Sequence, residues 1–452
     1  MKTQDLVYPP KEKVQDLTHW QLVIGSFVIF AIALGFRLWH LDAIPVPVFD
    51  EVFFPKFAAQ YLDGNPEWEG HPPLGKYLIA LGITIFGRNA LGDRIMEALF
   101  GSLIPVLLIG LVYLLSSRRS LAILAGVFLL CDGLFLVESR FSLINIFLVA
   151  FGLSSQIFLI AGLRQEDYRR TLLLCLSGIM LGASPAVKWN GLGFLLMVVL
   201  LMLLVWIVAL LFPQSLPRLG ILAKIRELHW WEYPLILVIM PALIYIAQWV
   251  PHLMMNAGGV PFFWKSFVAV HQHILWWHSS TQVVGEATKP AHPYCSSWFS
   301  WAVMARPLGY YFKSENNIFI DVHALGNPIL WWFSTASVLG LSIWGLGRLQ
   351  GVTAYLLIGY AANYLPWAIA KRCLFLYHYM SALTFSIIGL AVVTDLLLRQ
   401  KQWRWLGVSI ILAVLTSYFF FLPIWLGLPL SSSGFYQRMW FMPDGVAGFN
   451  WI

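Results

Sequence analysis

An acidic pair, Asp50-Glu51, lies just after the first apolar stretch of the chain, and the segment His-Pro-Pro-Leu-Gly-Lys at 71–76 follows in the same loop. Apolar residues flank the pair on both sides. Carboxylates in apolar surroundings are costly to desolvate, so such a pair commonly serves a cation, a proton or a substrate hydroxyl. The pair could instead be an N-cap that begins a short surface helix at Val52. Chemistry at a membrane surface is therefore one of two interpretations.

The composition defines the class of protein that must position these residues. Of the 452 residues, 59% are hydrophobic and 11% are charged, whereas soluble domains carry about 25% charged residues. Apolar stretches of about 20 residues can span a bilayer, and they predict an all-α polytopic membrane protein with about eleven transmembrane helices. The predicted spans are 20–41, 95–115, 120–137, 142–162, 171–186, 190–212, 232–250, 329–347, 351–369, 374–397 and 405–427.

The charge distribution predicts the orientation of these spans. The first span lacks a small-residue cleavage site, so it is expected to remain as an anchor. The net charge is +7, but the basic residues gather at alternating membrane turns, which follows the positive-inside rule and argues against nucleic acid as a partner. These turns carry Arg118, Arg119, Arg164, Arg169, Arg170, Arg218, Lys224, Arg226, Arg348, Arg399, Lys401 and Arg404. That side includes the N-terminus and is predicted to be cytoplasmic, and an odd number of spans places the C-terminus outside.

A second group of polar residues lies at the outer ends of the predicted spans. Its members are Asp50, Glu51, His71, Lys76, Arg94, Asp132, Glu138, Ser139, Arg140, Lys188, Lys371, Arg372 and His378. One outward-facing polar pocket would explain this arrangement. Alternatively, individual charges are structural partners, such as Asp132 with Arg140 or Glu138 with Arg94, because an isolated buried charge is costly.

Two apolar segments are expected to lie at the outer interface. Residues 74–86 are too few to cross the bilayer, and residues 271–278 carry Trp residues of the kind that anchor at lipid headgroups. Histidines at 271, 273 and 278 also suggest zinc, but their spacing does not place all three on one helical face and no acid lies close by. Interfacial anchoring is therefore favoured over a metal site.

The four cysteines carry little information, since they are dispersed without metal spacing. Cys295 and Cys373 both fall in outer segments, where they could form a disulfide, although the sequence does not require one. The chain is predicted to divide into an N-terminal membrane module (1–250) with its first outer loop (42–94), an outer segment with interfacial helices (251–328), and a C-terminal group of four spans (329–452).

Several short motifs follow one another along nearly the whole chain. They are Phe-Asp-Glu at 49–51, His-Pro-Pro-Leu-Gly-Lys at 71–76, Arg-Ile-Met-Glu-Ala-Leu-Phe-Gly at 94–101, Asp132 with Glu-Ser-Arg at 138–140, Val-Lys-Trp-Asn-Gly at 187–191, Leu-Gly-Asn-Pro at 325–328, Asn-Tyr-Leu-Pro-Trp at 363–367 and Tyr-His-Tyr at 377–379. In this combination the sequence resembles the protein O-mannosyltransferases. The resemblance implies the membrane glycosyltransferase architecture called GT-C, with interfacial helices in the first and fourth outer loops, an active site on the outer face and a polyprenyl-phosphate sugar as donor.

The sequence departs from the eukaryotic members of this family in two places. Those members carry a large soluble β-trefoil (MIR) domain between the seventh and eighth spans, and residues 251–328 are too few to hold one, so a bacterial-type enzyme is expected. Asn145 stands where eukaryotic members often have Asp, which puts in doubt any role that needs a charge there.

The resemblance also implies a role for particular residues. Asp50 would be the base that takes the proton of a Ser or Thr hydroxyl, and Glu51 would orient the acceptor or support Asp50. Catalysis by one carboxylate opposite the leaving group implies inversion at the anomeric carbon. The lipid phosphate gains negative charge as it leaves, so fixed cations are needed, and Arg94 and Arg372 are the first candidates. The other predicted substrate-binding residues are His71, Lys76, Glu138, Arg140, Lys188, Lys371 and His378.

Two of these assignments have alternatives. For Lys76, snorkelling towards the interface is favoured over a contact with phosphate. His378, between two Tyr residues, could contact the donor or belong to the aromatic belt found in any membrane protein.

The predicted function is an inverting transfer of mannose from polyprenyl-phosphate-mannose to Ser or Thr of exported proteins, at the outer face of a bacterial plasma membrane. A related enzyme could instead modify a lipid, as the aminoarabinose transferases do. A secondary transporter is disfavoured, because the charges gather at one face and no repeat is visible. No cofactor is predicted, and dependence on a divalent metal is left open.

Overall fold

The computed structural model describes residues 16–66, 70–256, 263–280, 292–345, 350–370, 372–443 and 445–452. The helices of the first half are α1 His19–Leu38, α2 Phe54–Leu62, α3 Leu74–Phe86, α4 Ala90–Ser116, α5 Arg119–Leu130, α6 Gly133–Glu138, α7 Asn145–Leu163, α8 Tyr168–Val187 and α9 Leu192–Leu211. The second half contains α10 Glu232–Pro234, α11 Met240–Ala247, α12 Trp249–Asn256, α13 Phe263–Ser280, α14 Pro328–Gly345, α15 Gly351–Tyr364, α16 Met380–Arg399, α17 Arg404–Leu426 and α18 Ser432–Tyr436. Short 3₁₀ helices include Phe49–Val52, Trp189–Gly191, Trp298–Val303, Leu365–Ile369 and Leu376–Tyr379, and a longer 3₁₀ segment, Pro213–Glu227, is kinked at Gly220.

Within the described ranges, eight helical segments are long and apolar enough to cross a membrane. They are His19–Leu38, Ala90–Ser116, Asn145–Leu163, Tyr168–Val187, Trp189–Leu211, Glu232–Asn256, Leu376–Arg399 and Arg404–Leu426. The chain is thus an integral, multi-pass membrane protein. The remaining predicted spans coincide with α5 and α6, with α14 and with α15, and the total of eleven stays a prediction.

The span expected at 120–137 is interrupted at Asp132, which is the N-cap of α6. The Asp132 carboxylate is buried and accepts hydrogen bonds from the Phe135 backbone N–H (2.9 Å) and the Trp331 indole N–H (2.6 Å). Asn327 of the Leu-Gly-Asn-Pro motif adds a longer backbone bond of 3.4 Å. Asp132 is therefore bound to these groups rather than to Arg140, because a cap needs acceptors for the free N–H groups of a helix start.

An antiparallel sheet that the sequence analysis did not predict lies in the outer segment. Strands β1 Leu308–Glu315 and β2 Ile318–Ala324 form a hairpin, and β3 Leu430–Ser431 pairs with β2, giving the order β1-β2-β3. The turn residues Asn316 and Asn317 have positive φ angles of 48° and 61°, which Asn tolerates and which two-residue hairpin turns favour. The sequence signal for this turn is the Asn-Asn pair, with aromatic residues at 310–312 before it and the apolar residues 318–320 after it.

Close packing brings the starts of α3 and α7 together beside the first outer loop. A Cβ atom on Gly75 would lie 2.8 Å from the Cγ2 atom of Ile144. Glycine is therefore required at this contact, because small residues allow membrane helices to approach closely. Asn145 and the His71–Lys76 turn become neighbours as a result.

Candidate active site

The Phe49–Val52 turn presents Asp50 from a strained backbone. Phe49 has a φ of +47°, a conformation that costs of order 1–3 kcal/mol for a non-glycine residue and persists only where its surroundings enforce it. Four aromatic rings surround the Phe49 ring at centroid distances of 5.2–6.2 Å: Tyr310 stacks on it, and His292, Phe375 and Tyr377 meet it edge-on. This aromatic cage fixes the direction of the Asp50 side chain.

Glu51 and Arg94 form a buried ion pair directly behind Asp50. Arg94 donates from Nε to Glu51 Oε1 (2.6 Å) and from Nη2 to Oε2 (2.8 Å), and both side chains are at most 4% exposed. Glu51 also accepts from the backbone N–H groups of Val48 (3.1 Å) and Ser142 (2.9 Å). The remaining Arg94 N–H groups donate to the carbonyls of residues 41, 44 and 46. All of these donors are thus used inside the protein, so the pair holds the Asp50 turn against α4.

Asp50 itself lies between two cations and a phenol. The Tyr377 hydroxyl donates to Asp50 Oδ2 over 3.4 Å. The Lys188 ammonium lies 4.7 Å from the centroid of the same Tyr377 ring. Burial raises the pKa of Asp50, while Lys188, the Tyr377 hydroxyl and Arg372 oppose that rise. The carboxylate is therefore a stronger base than an exposed Asp, and it lies in the electrostatic field of Lys188 and Arg372.

Lys188 is connected to Glu138 through Asn145. The Lys188 ammonium donates to the side-chain oxygen of Asn145 (3.2 Å), and the Asn145 amide donates to Glu138 Oε2 (2.9 Å). The Tyr310 hydroxyl donates to the other Glu138 oxygen. The neutral amide at 145 is suited to this position because it can accept from an ammonium and donate to a carboxylate at the same time. The alternative pairing of Glu138 with Arg94 is not formed, because Arg94 is paired with Glu51.

A second arm of the site joins His71, His278 and Arg372. The imidazole rings of His71 and His278 stack with centroids 5.4 Å apart. Arg372 donates to Nδ1 of His278, whose Nε2 lies 2.9 Å from the Gly70 carbonyl. Burial and the charge of Arg372 lower the pKa of His278 to about 4, and burial places the pKa of His71 well below its ordinary value. Both rings are neutral at neutral pH, so the positive charge here belongs to Arg372.

A disulfide links Cys373, the residue after Arg372, to Cys295 in the outer segment. The two Cα atoms lie 5.2 Å apart. The backbone N–H of Ser296 also donates to the carbonyl of Leu374 over 2.8 Å. The sequence left this disulfide open, because nothing in the spacing of the cysteines reveals that residues 295 and 373 meet.

Three other predicted site residues have well-defined partners within the protein. Arg140 donates to the carbonyls of residues 36, 37, 39 and 40 and so caps the C-terminal end of α1. Lys76 is 3% exposed and donates to the His71 carbonyl over 2.9 Å, so it does not snorkel to the surface. His378 is buried between Trp301 and Trp367. Lys371 lies outside the described residues.

Sequence reasoning missed several residues of this site. Tyr310 reaches Glu138 only because the strand register shifts between Gly309 and Tyr311, a bulge that leaves Tyr310 unpaired in β1 and re-aims its side chain. The Trp-rich pattern around His278 favours interfacial anchoring, and no sequence motif singles out His292. Among the residues that the structure describes, no group of three His, Cys, Asp or Glu side chains is arranged to hold a metal ion.

The chain belongs to the protein O-mannosyltransferase family. The model for dolichyl-phosphate-mannose-protein mannosyltransferase matches residues 27–93 and 85–256, which is more than half of the chain. The model for the C-terminal four TMM region of protein-O-mannosyltransferase matches residues 263–443. The polyprenol-phosphate-mannose–protein mannosyltransferase of Corynebacterium glutamicum is 27% identical over 96% of this chain and 95% of its own length.

Solved structures confirm the GT-C fold. The Saccharomyces cerevisiae protein O-mannosyltransferase Pmt1-Pmt2 complex bound to the sugar donor matches with a TM-score of 0.80 and 15% identity, over 96% of this chain and 94% of that chain. ArnT from Cupriavidus metallidurans, from the lipid-modifying alternative, matches with a TM-score of 0.56 and 12% identity, over 90% and 76%. The fold is thus shared by both branches, whereas the family models select the mannosyltransferases.

Proposed function

We propose that this protein transfers mannose from a polyprenyl-phosphate-mannose donor to Ser or Thr hydroxyls of exported proteins. The single observation that carries the proposal is the setting of Asp50, whose carboxylate accepts a hydrogen bond from the Tyr377 hydroxyl over 3.4 Å while the Lys188 ammonium lies 4.7 Å from the centroid of the same ring. Burial raises the pKa of Asp50, and the charges of Lys188 and Arg372 act on it. A transferase that uses a lipid phosphate as leaving group needs this combination of one base and fixed cations. The names of the full-length relatives support the same donor and acceptor.

In the proposed reaction, the oxygen of the acceptor hydroxyl attacks the anomeric carbon, and Asp50 accepts the proton that this hydroxyl loses. The bond from that carbon to the phosphate oxygen breaks, and the polyprenyl phosphate departs with the bonding electrons. One displacement inverts the anomeric centre, so a β-linked donor gives an α-linked product without a covalent intermediate. Glu51 and Arg94 act as positioning residues that hold the turn carrying Asp50.

Lys188 and Arg372 are the cations proposed to meet the growing charge on the phosphate. Both already act electrostatically on Asp50, and Arg372 offers a planar fork of donors for phosphate oxygens. His71 and His278 can contact the donor as neutral hydrogen-bonding groups. Substrate contacts of Lys76, Glu138, Arg140, Lys371 and His378 stay predictions. For Arg94 the proposal replaces the expected phosphate contact with a positioning role, because its N–H groups all bond within the protein.

The proposed function is tested by radiolabelled mannose transfer in membrane vesicles that contain the protein. Polyprenyl-phosphate-mannose is supplied with a Ser/Thr-containing peptide, and label is measured in the peptide and in extracted lipid. Label in the peptide supports the proposal. Label in lipid alone would assign the enzyme to the lipid-modifying branch, and no label in either would reject a transferase with this donor.

The charge of Lys188 should control the pH dependence of the reaction. Since the base must be deprotonated, kcat/KM falls as the pH drops through the pKa of Asp50. Lys188 lowers this pKa, so Lys188→Met should move the acid limb of the pH profile to higher pH. The matched variant Lys188→Arg keeps the charge and should keep the limb near its original position. If the acid limb lay at the wild-type pH in both variants, the charge of Lys188 would have no effect on the pKa of the base.

We further propose that the active site faces the outside of a bacterial plasma membrane and that the N-terminus is cytoplasmic. The distribution of basic residues supports this orientation, as does the disulfide beside Arg372, because disulfides persist in oxidising compartments. Both Asp63, in the first outer loop, and Glu166, in the α7–α8 loop, have exposed side chains.

Cysteine labelling distinguishes the two faces. In a background with Cys175→Ser, a membrane-impermeant maleimide should label Asp63→Cys in intact cells and should label Glu166→Cys only after the membrane is opened. The reverse pattern would invert the proposed orientation. Detergent-opened membranes, in which both positions should react, provide the control.

A further inference from the structure

A cleft of about 450 Å³ lies on the outer segment, next to the site that contains Asp50. Residues of β1, β2 and α18 line it, together with Tyr294 and Trp451. Most of the lining side chains are aromatic. Aromatic walls offer large apolar faces with polar edges, which suit an extended chain with apolar side chains or proline rings.

The floor of the cleft carries two buried polar groups. Asp321 and His323 are each 3% exposed, and Asp321 Oδ2 lies 3.3 Å from His323 Nδ1. His323 Nε2 has no hydrogen-bond partner among the residues that the structure describes, and Asp321 Oδ2 has none apart from its 3.3 Å contact with His323 Nδ1. Buried polar atoms are nearly always hydrogen-bonded in native proteins, so each of these atoms has capacity for a ligand. The carboxylate would accept from a donor on that ligand.

Tyr310 makes the cleft continuous with the active site. It lines the cleft, its hydroxyl donates to Glu138, and its ring stacks on Phe49 at a centroid distance of 5.2 Å. Asp50 is the next residue after Phe49. A polypeptide whose hydroxyl reaches Asp50 would therefore have its neighbouring residues beside the Tyr310 wall, at the entrance of the cleft.

We propose that this cleft binds the segment of the acceptor polypeptide that flanks the Ser or Thr to be modified. Apolar or proline residues of the segment would pack on the aromatic walls, and one hydrogen-bond donor would reach Asp321. The inference rests on the proposed transfer to proteins and adds a flanking-sequence subsite to it.

The test compares two acceptors, a long peptide with flanking residues on both sides of one Thr and a blocked three-residue peptide with the same Thr. The wild type should use the long peptide with a kcat/KM at least about tenfold higher. Both Asp321→Asn and Tyr436→Ala should reduce the ratio of the two values towards one. Tyr436 is 49% exposed and lines the cleft, so its truncation removes a wall with little effect on folding.

Ile318→Ala is the matched control, because Ile318 lies on the same hairpin, is 48% exposed and does not line the cleft. This variant should keep the wild-type ratio. A ratio of kcat/KM values that stays at the wild-type level in both cleft variants would overturn the inference. If the wild type modified neither peptide, the proposed function itself would fail, which is a distinguishable result.

Discussion

Replacement of Asp50 by Asn is expected to lower the rate of mannose transfer by about 10²–10⁴-fold, the range that a positioned general base contributes. Asn is nearly the same size and can still accept the hydrogen bond that the Tyr377 hydroxyl donates to Asp50, but it cannot take a proton from the acceptor. Binding of polyprenyl-phosphate-mannose should remain, because Lys188 and Arg372 are unchanged. The measurement is kcat for a peptide acceptor, combined with donor binding to the purified protein.

The control for this variant is Asp63→Asn, which changes an exposed carboxylate of the same loop. It should leave kcat near the wild-type value. A thermal denaturation curve for Asp50→Asn that matches the wild type would exclude unfolding as the cause of lost activity. Asp50→Asn with more than about a tenth of the wild-type rate would show that another group takes the proton.

Arg94→Ala is expected to destabilise the protein strongly, by about 3–5 kcal/mol, the cost of leaving one member of a buried ion pair without its partner. Glu51 is 3% exposed, and Arg94 supplies hydrogen bonds to both of its carboxylate oxygens. Loss of Arg94 should also release the turn that carries Asp50, so kcat should fall together with stability. Unfolding in mixed detergent micelles measures the first effect and peptide transfer measures the second.

Two comparisons separate this positioning role from a direct contact with the donor. Arg88→Ala removes an exposed pair with Asp63 and should change the melting temperature little, since surface ion pairs contribute little. The double variant Glu51→Gln/Arg94→Met should be less destabilised than Arg94→Ala, because no buried charge is left alone. Arg94→Ala with unchanged stability and a raised KM for the donor would instead assign Arg94 to the lipid phosphate.

Asp132 and Arg140 illustrate why individual charge pairings could not be predicted. Both lie near the outer ends of predicted spans, and a pairing between them was a reasonable alternative. In the structure Asp132 caps α6 and binds Trp331, whereas Arg140 binds the carbonyls at the end of α1. A charged side chain can form hydrogen bonds with backbone N–H or C=O groups instead of pairing with an opposite charge. Sequence patterns contain little information about which backbone groups lack a partner within their own helix.

The hairpin was missed for a related reason. Residues 308–324 were assigned to an outer segment with interfacial helices, yet they form β1 and β2, and the bulge at Tyr310 contributes to both the site and the cleft. A hairpin is stabilised by contacts with distant elements, here β3 and α17. Local propensity is a weak guide where such tertiary contacts decide the structure.

The sequence by itself determined that this is a multi-pass membrane protein of the O-mannosyltransferase family, because hydrophobic length and ordered motifs are properties of the linear chain. It also singled out Asp50, since a carboxylate in apolar surroundings is costly enough to indicate a function. Only the tertiary structure decided that Arg94 is paired with Glu51, that Asn145 connects Lys188 to Glu138, and that Tyr310 belongs both to the site and to the wall of the neighbouring cleft. These arrangements depend on which distant helix ends and loops meet, and that is fixed by packing rather than by spacing along the chain.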